Sequence, residues 1–120
     1  MRSRSPFVSH TSNGWLVSEM GMFMSDLRTK EVEDLLTVLA GTTDRDAMFA
    51  LLEDLFTIRE IKETSQRLAV AKMLSEGRPY VAIGESTGAS ATTIARVSKA
   101  LNYGAGGYAA ALDILGGASQ

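Results

Sequence analysis

The stretch YVAIGESTGASATTIARVSK, residues 80–99, decides the fold because it fits the twenty-residue helix-turn-helix pattern place by place. Two short helices that meet at a steep angle need an apolar residue where they touch, a small residue beside it, and a glycine able to take a positive φ at the turn. Ile83, Gly84 and Gly88 supply these features at the fourth, fifth and ninth places. We therefore predict two helices joined by a tight turn at Gly88.

The second helix of this pair must pack back on the first through one face. Ile94 and Val97, three residues apart, predict that face, and Ser90 is expected to cap the helix. Thr87 stands at a place that is more often apolar, which is a mild departure from the pattern. A helical hairpin with no nucleic-acid role is the alternative interpretation of the same residues.

The residues of the second helix that are left to face outward are small or basic. In a DNA-reading helix, small side chains near the N-terminus let the helix enter a major groove about 12 Å wide, where hydroxyls and methyls contact base edges. The cations farther along are expected to contact phosphates. One such helix makes few contacts, so useful affinity requires a dimer that presents two helices about 34 Å apart. The predicted DNA-binding residues are Ser90, Ala91, Thr92, Thr93, Ala95, Arg96 and Lys99.

The charges of the chain are divided unevenly between two segments. The net charge is −2, but residues 31–63 carry nine acidic and three basic side chains, whereas residues 64–103 carry five basic and two acidic ones. Charged groups act locally, over a screening length of about 8 to 10 Å. The overall acidity therefore does not exclude an anionic partner for the basic segment, although a merely solvated surface would give the same counts.

The other segments also predict helices, and no segment alternates with a period of two residues over the length of a strand. Thr57 and Glu60 match the capping box that starts a helix, so a long helix is expected from Ile58. Two shorter helices before it carry leucines at helical spacing, and a last helix is expected from about residue 107 to residue 115. The predicted fold class is all-α. The inward residues predicted on the long helix are Ile61, Leu68, Ala71 and Leu74.

The predicted helix ends depend on single residues. Gly41 and Gly77 are expected just past the ends of the first and third helices. Thr43 or Asp44 is expected to cap the second helix, and Pro79 to stand in the first turn of the fourth.

Composition narrows the class of protein. The chain has no cysteine, which removes disulfides and thiolate catalysis, and its one histidine, His10, lies near the N-terminus. We therefore expect no metal site, no cofactor and no enzymatic activity. No stretch approaches the roughly 20 apolar residues of a membrane span, so a soluble protein is expected. The lack of cysteine and of a recognisable secretory signal favours the reducing cytoplasm. Residues 1–26 are interpreted as a flexible extension ahead of one domain over residues 27–120.

Several short motifs recur in a fixed order in one known family. LRTKE, EDLxT, QRxxVAKxL, TGASxxTIxRV and LNYGxxGY lie between Leu27 and about Leu115. This run resembles the Trp repressor superfamily, and most closely its YerC/YecD-like branch of Trp-repressor-related proteins. The resemblance implies an all-helical, intertwined homodimer that binds double-stranded DNA through a helix-turn-helix over residues 80–99 and regulates transcription as a repressor.

The founding member of the superfamily binds tryptophan, and the resemblance carries over its site only where residues match. Thr57, Arg67 and Arg96 occupy places that resemble its threonine and the two arginines that flank the indole ring. Val97 and Ala100 stand where that protein has a glycine and a serine. The branched side chain of Val97 fills space that the indole ring needs. Ala100 lacks the serine hydroxyl, so a partner for the ammonium group of tryptophan is lost. Ion pairing or phosphate contact is the other interpretation of the two arginines.

Two rivals to a DNA-binding regulator stay open at this point. One is a helical dimer that acts only through protein contacts. A salt-sensitive shift in the electrophoretic mobility of duplex DNA would exclude it. The other is a repressor gated by tryptophan or a related indole, which calorimetry would reveal. The first helix of the pair also departs from the founding protein, because the basic residues that touch DNA are absent and Glu85 is present.

Overall fold

The computed structural model describes residues 26–118, and this part of the chain contains six α-helices and no strand. The predicted all-α class is thus confirmed for these residues. Almost all of the predicted flexible extension, residues 1–26, lies outside the described range. The helices, numbered in chain order, are α1 Lys30–Gly41, α2 Arg45–Leu55, α3 Ile58–Ser75, α4 Tyr80–Thr87, α5 Ala91–Tyr103 and α6 Gly107–Ala118.

The helices fall into two compact units. The first ends at Ala50 and the second begins at Leu51, within α2. The first unit contains α1 and the start of α2, whereas α3 to α6 pack against one another in the second unit. One domain over residues 27–120 stays a prediction, and the candidate site described below lies entirely in the second unit.

α1 begins behind Thr29, whose side-chain oxygen accepts a hydrogen bond from the Val32 N–H at 3.3 Å and so satisfies one donor of the first turn. Gly41 is the last residue of the helix and has no positive φ. The N–H of Thr42 closes the last turn on the Leu39 carbonyl oxygen at 3.4 Å, which needs no left-handed residue. The prediction that Gly41 lies just past the helix was therefore wrong by one residue.

α2 begins behind Asp44, whose carboxylate accepts a hydrogen bond from the Ala47 N–H at 2.9 Å. A negative charge at this place also meets the positive end of the helix dipole. Of the two predicted caps, Thr43 and Asp44, the structure therefore confirms Asp44.

α3 begins at the predicted capping box. The Thr57 hydroxyl oxygen accepts a hydrogen bond from the Glu60 N–H at 3.1 Å, and the Glu60 carboxylate accepts one from the Thr57 N–H at 2.9 Å. Two backbone donors that the helix leaves unpaired are thereby satisfied reciprocally. The Thr57 side chain is consequently committed to the start of α3.

Removing this cap should have a measurable cost. Thr57→Ala is expected to lower the free energy of unfolding by about 1 kcal/mol, because the Glu60 N–H loses its side-chain acceptor. Thr57→Ser keeps the hydroxyl and is the matched control. Urea denaturation of both variants at one protein concentration measures the difference, and equal stability of the two variants would argue against the cap.

The hydrophobic core lies where α3 meets α4, α5 and α6. Half-buried side chains from α3 and α6, among them Leu74 and Leu112, pack around its edge. The second unit is therefore assembled on α3 as its central helix. The buried hydrophobic residues of the described chain are Val70, Ala71, Ile83, Ala89, Ile94 and Val97.

The inward face of α3 is wider than its sequence pattern indicates. Of the four residues predicted to face inward, Ala71 is fully buried, while Ile61, Leu68 and Leu74 are only half-buried. Val70 is fully buried and was missed. A helix that packs against three neighbours buries more than one stripe at i, i+3 and i+4 spacing, which explains the difference.

The helix junctions follow the predicted residues with small shifts. Gly77 has a φ of 78° just past α3, as predicted. Pro79 is the N-cap of α4, with an extended ψ of 154°, rather than a residue of its first turn. α5 ends at Tyr103 and is capped by Gly104, whose N–H donates to the Ala100 carbonyl oxygen at 2.9 Å, and α6 runs three residues past its expected end. None of the six helices combines the length and apolarity that crossing a bilayer requires.

Candidate nucleic-acid interface

The turn between α4 and α5 takes the predicted left-handed conformation at Gly88, with a φ of 77° and a ψ of 5°. The Gly88 N–H donates to the Gly84 carbonyl oxygen at 2.8 Å and so ends α4. A Cβ placed on Gly84 would lie 3.5 Å from the Ala89 carbonyl oxygen, which puts the end of α4 in contact with the turn. Any other residue at Gly88 would strain the backbone, so the prediction for Gly88 is confirmed.

Thr87, which departs from the usual pattern, stabilises this turn through two hydrogen bonds of its side chain. Its hydroxyl donates to the Ile83 carbonyl oxygen at 2.7 Å and accepts a hydrogen bond from the Ala89 N–H at 3.1 Å. Both bonds lie in a partly buried region, where an unpaired donor would cost free energy. The hydroxyl thus satisfies the turn at a place where an apolar contact is usual.

α3 holds the turn from outside the α4–α5 pair through Gln66. The Gln66 Nε2 donates to the Thr87 carbonyl oxygen at 3.0 Å, between residues 21 apart in sequence. Carbonyls at the C-terminal end of a helix lack helical partners, so this bond both satisfies α4 and fixes it on α3. The sequence analysis missed Gln66. No local sequence pattern marks it, because its partner lies 21 residues away along the chain.

α5 presents the predicted inner face and the predicted cap. Ile94 and Val97 are only 2% and 1% exposed. The Ser90 side-chain oxygen accepts a hydrogen bond from the Thr93 N–H at 3.1 Å, and its hydroxyl donates to the Thr93 hydroxyl at 3.1 Å. The two buried residues therefore determine which side of α5 faces solvent.

The solvent side of α5 carries the side chains predicted to touch DNA. Two cations, Arg96 and Lys99, lie on this side, and neither forms an ion pair with another of residues 26–118. Thr93 is half-buried and its hydroxyl is engaged with the cap, so Thr92 is the hydroxyl on this side with no hydrogen bond to the described part of the chain. Contact of these residues with DNA stays a prediction. The exposed members of the predicted set are Ser90, Ala91, Thr92, Ala95, Arg96 and Lys99.

A cavity of about 640 Å³ lies between α3, the end of α5 and the start of α6. Of the three predicted ligand residues, Arg67 lines this cavity, whereas Thr57 caps α3 and Arg96 lies on the exposed side of α5. The structure thus does not gather the three around this cavity. Ala100, which replaces the ligand-contacting serine, does line it. Its apolar walls include Leu52, Phe56, Ile61, Leu68, Tyr108 and Ala111.

The acidic residues of the chain do not form a metal site in the described range. Among residues 26–118, no three side chains of His, Cys, Asp or Glu lie close enough together to hold an ion. The acids of the first helices are partly paired with cations instead, as in the Lys30–Asp34 pair at 3.2 Å.

Known proteins resemble this chain in sequence and in the arrangement of its helices. The sequence model of the Trp repressor protein family matches residues 30–115. The YerC protein of Bacillus subtilis (strain 168), an uncharacterized protein, is 44% identical over 92 residues, which are 77% of this chain and 88% of that protein. A TrpR-like protein from Eubacterium eligens ATCC 27750 has a TM-score of 0.73 at 46% identity, over 77% of this chain and 95% of that one. A candidate Trp repressor from Staphylococcus aureus has a TM-score of 0.73 at 34% identity, over 78% and 93%.

The matched region contains the α4–α5 pair and the helices that support it. It also contains the motifs EDLxT, QRxxVAKxL, TGASxxTIxRV and LNYGxxGY, and the last two residues of LRTKE. The agreement of the family match, the sequence identity and the two structural superpositions confirms that resemblance. The chain therefore belongs to the Trp repressor family, in its YerC-like branch.

Proposed function

We propose that the chain is a sequence-specific DNA-binding regulator of transcription, acting as a repressor, and that it works as a homodimer through a helix-turn-helix formed by α4 and α5. Membership of the Trp repressor family supports a DNA-binding regulator in general. The observation that carries the specific proposal is the solvent side of α5. This side carries small side chains at the N-terminal end of the helix and two cations farther along. The other side of the helix is packed in the hydrophobic core.

This arrangement suits entry into the major groove. Ala91 and Thr92 stand at the start of α5 and Ala95 one turn later, so little bulk separates the helix backbone from the base edges. The Thr92 hydroxyl can donate to or accept from a base, and methyl groups can contact thymine. Arg96 and Lys99 are long enough to reach the phosphates that border the groove, where they position the helix without specifying sequence.

Apolar side chains left exposed in the single chain support the homodimer. In the second unit, Ile58 is 74% exposed and Ile114 is 72% exposed. Burial of an isoleucine side chain contributes roughly 1.5 to 3 kcal/mol, so a second copy that covers them would gain substantial stability. Two-fold symmetry then presents two α5 helices to successive turns of one groove. The proposal includes no catalytic step and no cofactor, and it places the protein with DNA in the cytoplasm.

Selection of bound fragments from sheared genomic DNA tests this function. Purified protein at near-physiological salt should enrich a small set of duplexes that share a two-fold symmetric motif with half-sites about 10 base pairs apart. The binding constant for these duplexes should fall steeply as salt is raised, because phosphate contacts release counterions. A pool with no enrichment, obtained with folded protein, would contradict the proposal.

Loss of the Thr92 hydroxyl should reduce specific binding. Thr92→Ala is expected to weaken affinity for a selected duplex by about 1 to 3 kcal/mol while leaving the melting temperature unchanged, because the exposed hydroxyl contributes to base contact and not to packing. Ala91→Leu should act in the same direction by adding bulk. Thr37→Ala, which changes an exposed threonine of α1, is the control. Fluorescence anisotropy measures all three, and an unchanged affinity for Thr92→Ala would remove Thr92 from the interface.

Loss of the Lys99 ammonium should act on all sequences alike. Lys99→Ala is expected to lower affinity for selected and random duplexes by a similar factor and to reduce the slope of log binding constant against log salt by about one. Lys72→Ala, at an exposed lysine of α3, is the control. Anisotropy titrations at several salt concentrations measure the slope. A loss confined to the selected duplex would mean that Lys99 contacts a base.

The cavity beside α5 supports a second candidate, a regulator whose DNA binding is gated by tryptophan or a related indole. Its volume of about 640 Å³ lies within the usual range for small-molecule sites, roughly 300 to 1,000 Å³. Arg67 supplies a cation for an acidic group, whereas Ala100 offers no hydroxyl. Calorimetric titration with tryptophan and related indoles tests this candidate. Saturable heat near one ligand per chain would support it, and the absence of heat would remove these ligands.

A further inference from the structure

A polar cleft of about 410 Å³ lies between α3 and the C-terminal end of α4. It shares Ser65 with the apolar cavity described above but differs from it in lining, because an ammonium, an amide and three hydroxyl groups line the cleft. No acidic residue lines it. The lining residues are Lys62, Ser65, Gln66, Ala69, Ser86 and Thr87.

Hydrogen bonds within the protein fix part of this cleft and leave two groups unused. Gln66 is held by its bond to the Thr87 carbonyl oxygen at 3.0 Å, and the Ser65 hydroxyl donates to the Lys62 carbonyl oxygen at 3.0 Å. Across residues 26–118, the Lys62 ammonium forms no ion pair and the Ser86 hydroxyl forms no hydrogen bond. The cleft therefore offers one cation and one hydroxyl that are available to a partner.

The acids nearest to Lys62 in sequence are already engaged. The Glu60 carboxylate accepts the Thr57 N–H in the capping box at 2.9 Å, and Glu63 pairs with Arg59 at 3.1 Å. Lys62 consequently stands out as an unneutralised cation within the most acidic part of the chain. Such a group favours an anionic partner from outside the protein.

We propose that this cleft holds a phosphate of the DNA backbone, with Lys62 as a positioning residue. This inference rests on the function proposed above, because it requires α5 to lie in the major groove. Ser86 and Thr87 are the last residues of α4 and lead directly into the turn at Gly88, so the cleft lies at the end of α4 from which the chain enters α5, the helix proposed to contact the bases. Each DNA strand that borders the groove carries one phosphate about every 3.4 Å, so a helix in the groove is flanked by closely spaced anionic groups.

This contact would fix the position of the protein along the DNA and would not determine which base sequence is bound. Lysine supplies a compact charge on a flexible stem, which suits a phosphate and carries no base information. Because Gln66 fixes α4 on α3, a phosphate held by Lys62 would be fixed relative to α5 as well. The contact would thus set how deeply and at what angle α5 enters the groove.

The first test compares Lys62→Gln with Lys72→Gln, which removes an exposed lysine from α3 outside the cleft. Lys62→Gln should reduce the slope of log binding constant against log salt by about one and weaken selected and random duplexes by a similar factor. Lys72→Gln should leave both quantities at their parental values. A parental slope for Lys62→Gln would overturn the inference, while loss of specific binding in Thr92→Ala would still support the proposed function. A parental chain that does not bind DNA would overturn both.

A second test locates the contact directly. The chain has no cysteine, so Lys62→Cys introduces one thiol per chain, which can attack a mixed disulfide tethered to a chosen DNA phosphate and release its leaving thiol. Crosslinking should peak at one or two phosphates per half-site, and Lys72→Cys should give none. Equal yields along the duplex would overturn the inference. The cleft would be a site for free phosphate if inorganic phosphate binds saturably, Lys62→Gln abolishes that binding, and the same variant keeps the parental salt dependence of DNA binding. That result would also overturn the inference.

Discussion

Gly88→Val should lower the free energy of unfolding by about 2 to 3 kcal/mol, which corresponds to roughly 8 to 15 °C in melting temperature for a chain of this size. Gly88 has a φ of 77°, a region that β-branched residues hardly enter. The nearest atom to a Cβ placed there, the Gln66 Nε2, is 3.8 Å away, so the cost arises from backbone strain rather than collision. DNA affinity should fall too, because relief of the strain changes the angle between α4 and α5.

Two controls separate strain from loss of the interface. Gly77 has nearly the same φ, 78°, with no atom within 4 Å of a Cβ placed on it. Gly77→Val should therefore cost similar stability, while its folded fraction keeps the parental DNA affinity. Gly88→Asn should fall between parent and Gly88→Val, because asparagine tolerates the left-handed region better. Thermal unfolding followed by circular dichroism, together with anisotropy, measures these effects. Parental melting and binding in Gly88→Val would contradict the left-handed turn.

Ile83→Ala should lower the free energy of unfolding by about 2 to 5 kcal/mol, the range for truncating a large buried side chain. Ile83 has no exposed surface and lies in the same buried cluster as Val70, Ile94 and Val97. Its removal leaves a cavity at the place where α4 meets its neighbours, and close packing limits how far they can collapse. Since α5 depends on the same cluster, DNA binding should weaken in parallel with stability.

Val81→Ala is the matched control for this prediction. Val81 lies two residues earlier on the same helix and is 74% exposed, so its truncation should change stability by no more than about 0.5 kcal/mol. Urea unfolding of both variants must be compared at one protein concentration, because the stability of a dimer depends on it. Similar small effects from Ile83→Ala and Val81→Ala would show that the core does not lie where the structure places it.

The α4–α5 pair was predictable because local geometry dictates its residues. A left-handed turn requires Gly88, a helix start favours Ser90, and packing of two short helices requires Ile94 and Val97 on one side. Each of these requirements acts within about twenty residues of sequence. The capping box at Thr57 was predictable for the same reason.

Features that depend on distant parts of the chain were not predictable. The bond from Gln66 to the turn joins residues 21 apart, and nothing in the local pattern of either segment requires it. Val70 is buried because α3 packs against three helices, which its own periodicity does not reveal. Arg67 alone of the three predicted ligand residues lines the cavity, because Thr57 is fixed at the start of α3 and Arg96 lies on the other side of α5 from the core.

The most direct measurement of α5 in the groove uses a cleaving reagent attached to that helix. Ala95→Cys gives a unique thiol for an iron chelate, since the chain has no other cysteine. On a selected duplex that the labelled protein still binds, two clusters of strand cleavage should appear about 10 base pairs apart, symmetric about the centre of the motif. A single cluster, or uniform cleavage along the bound duplex, would contradict paired recognition helices.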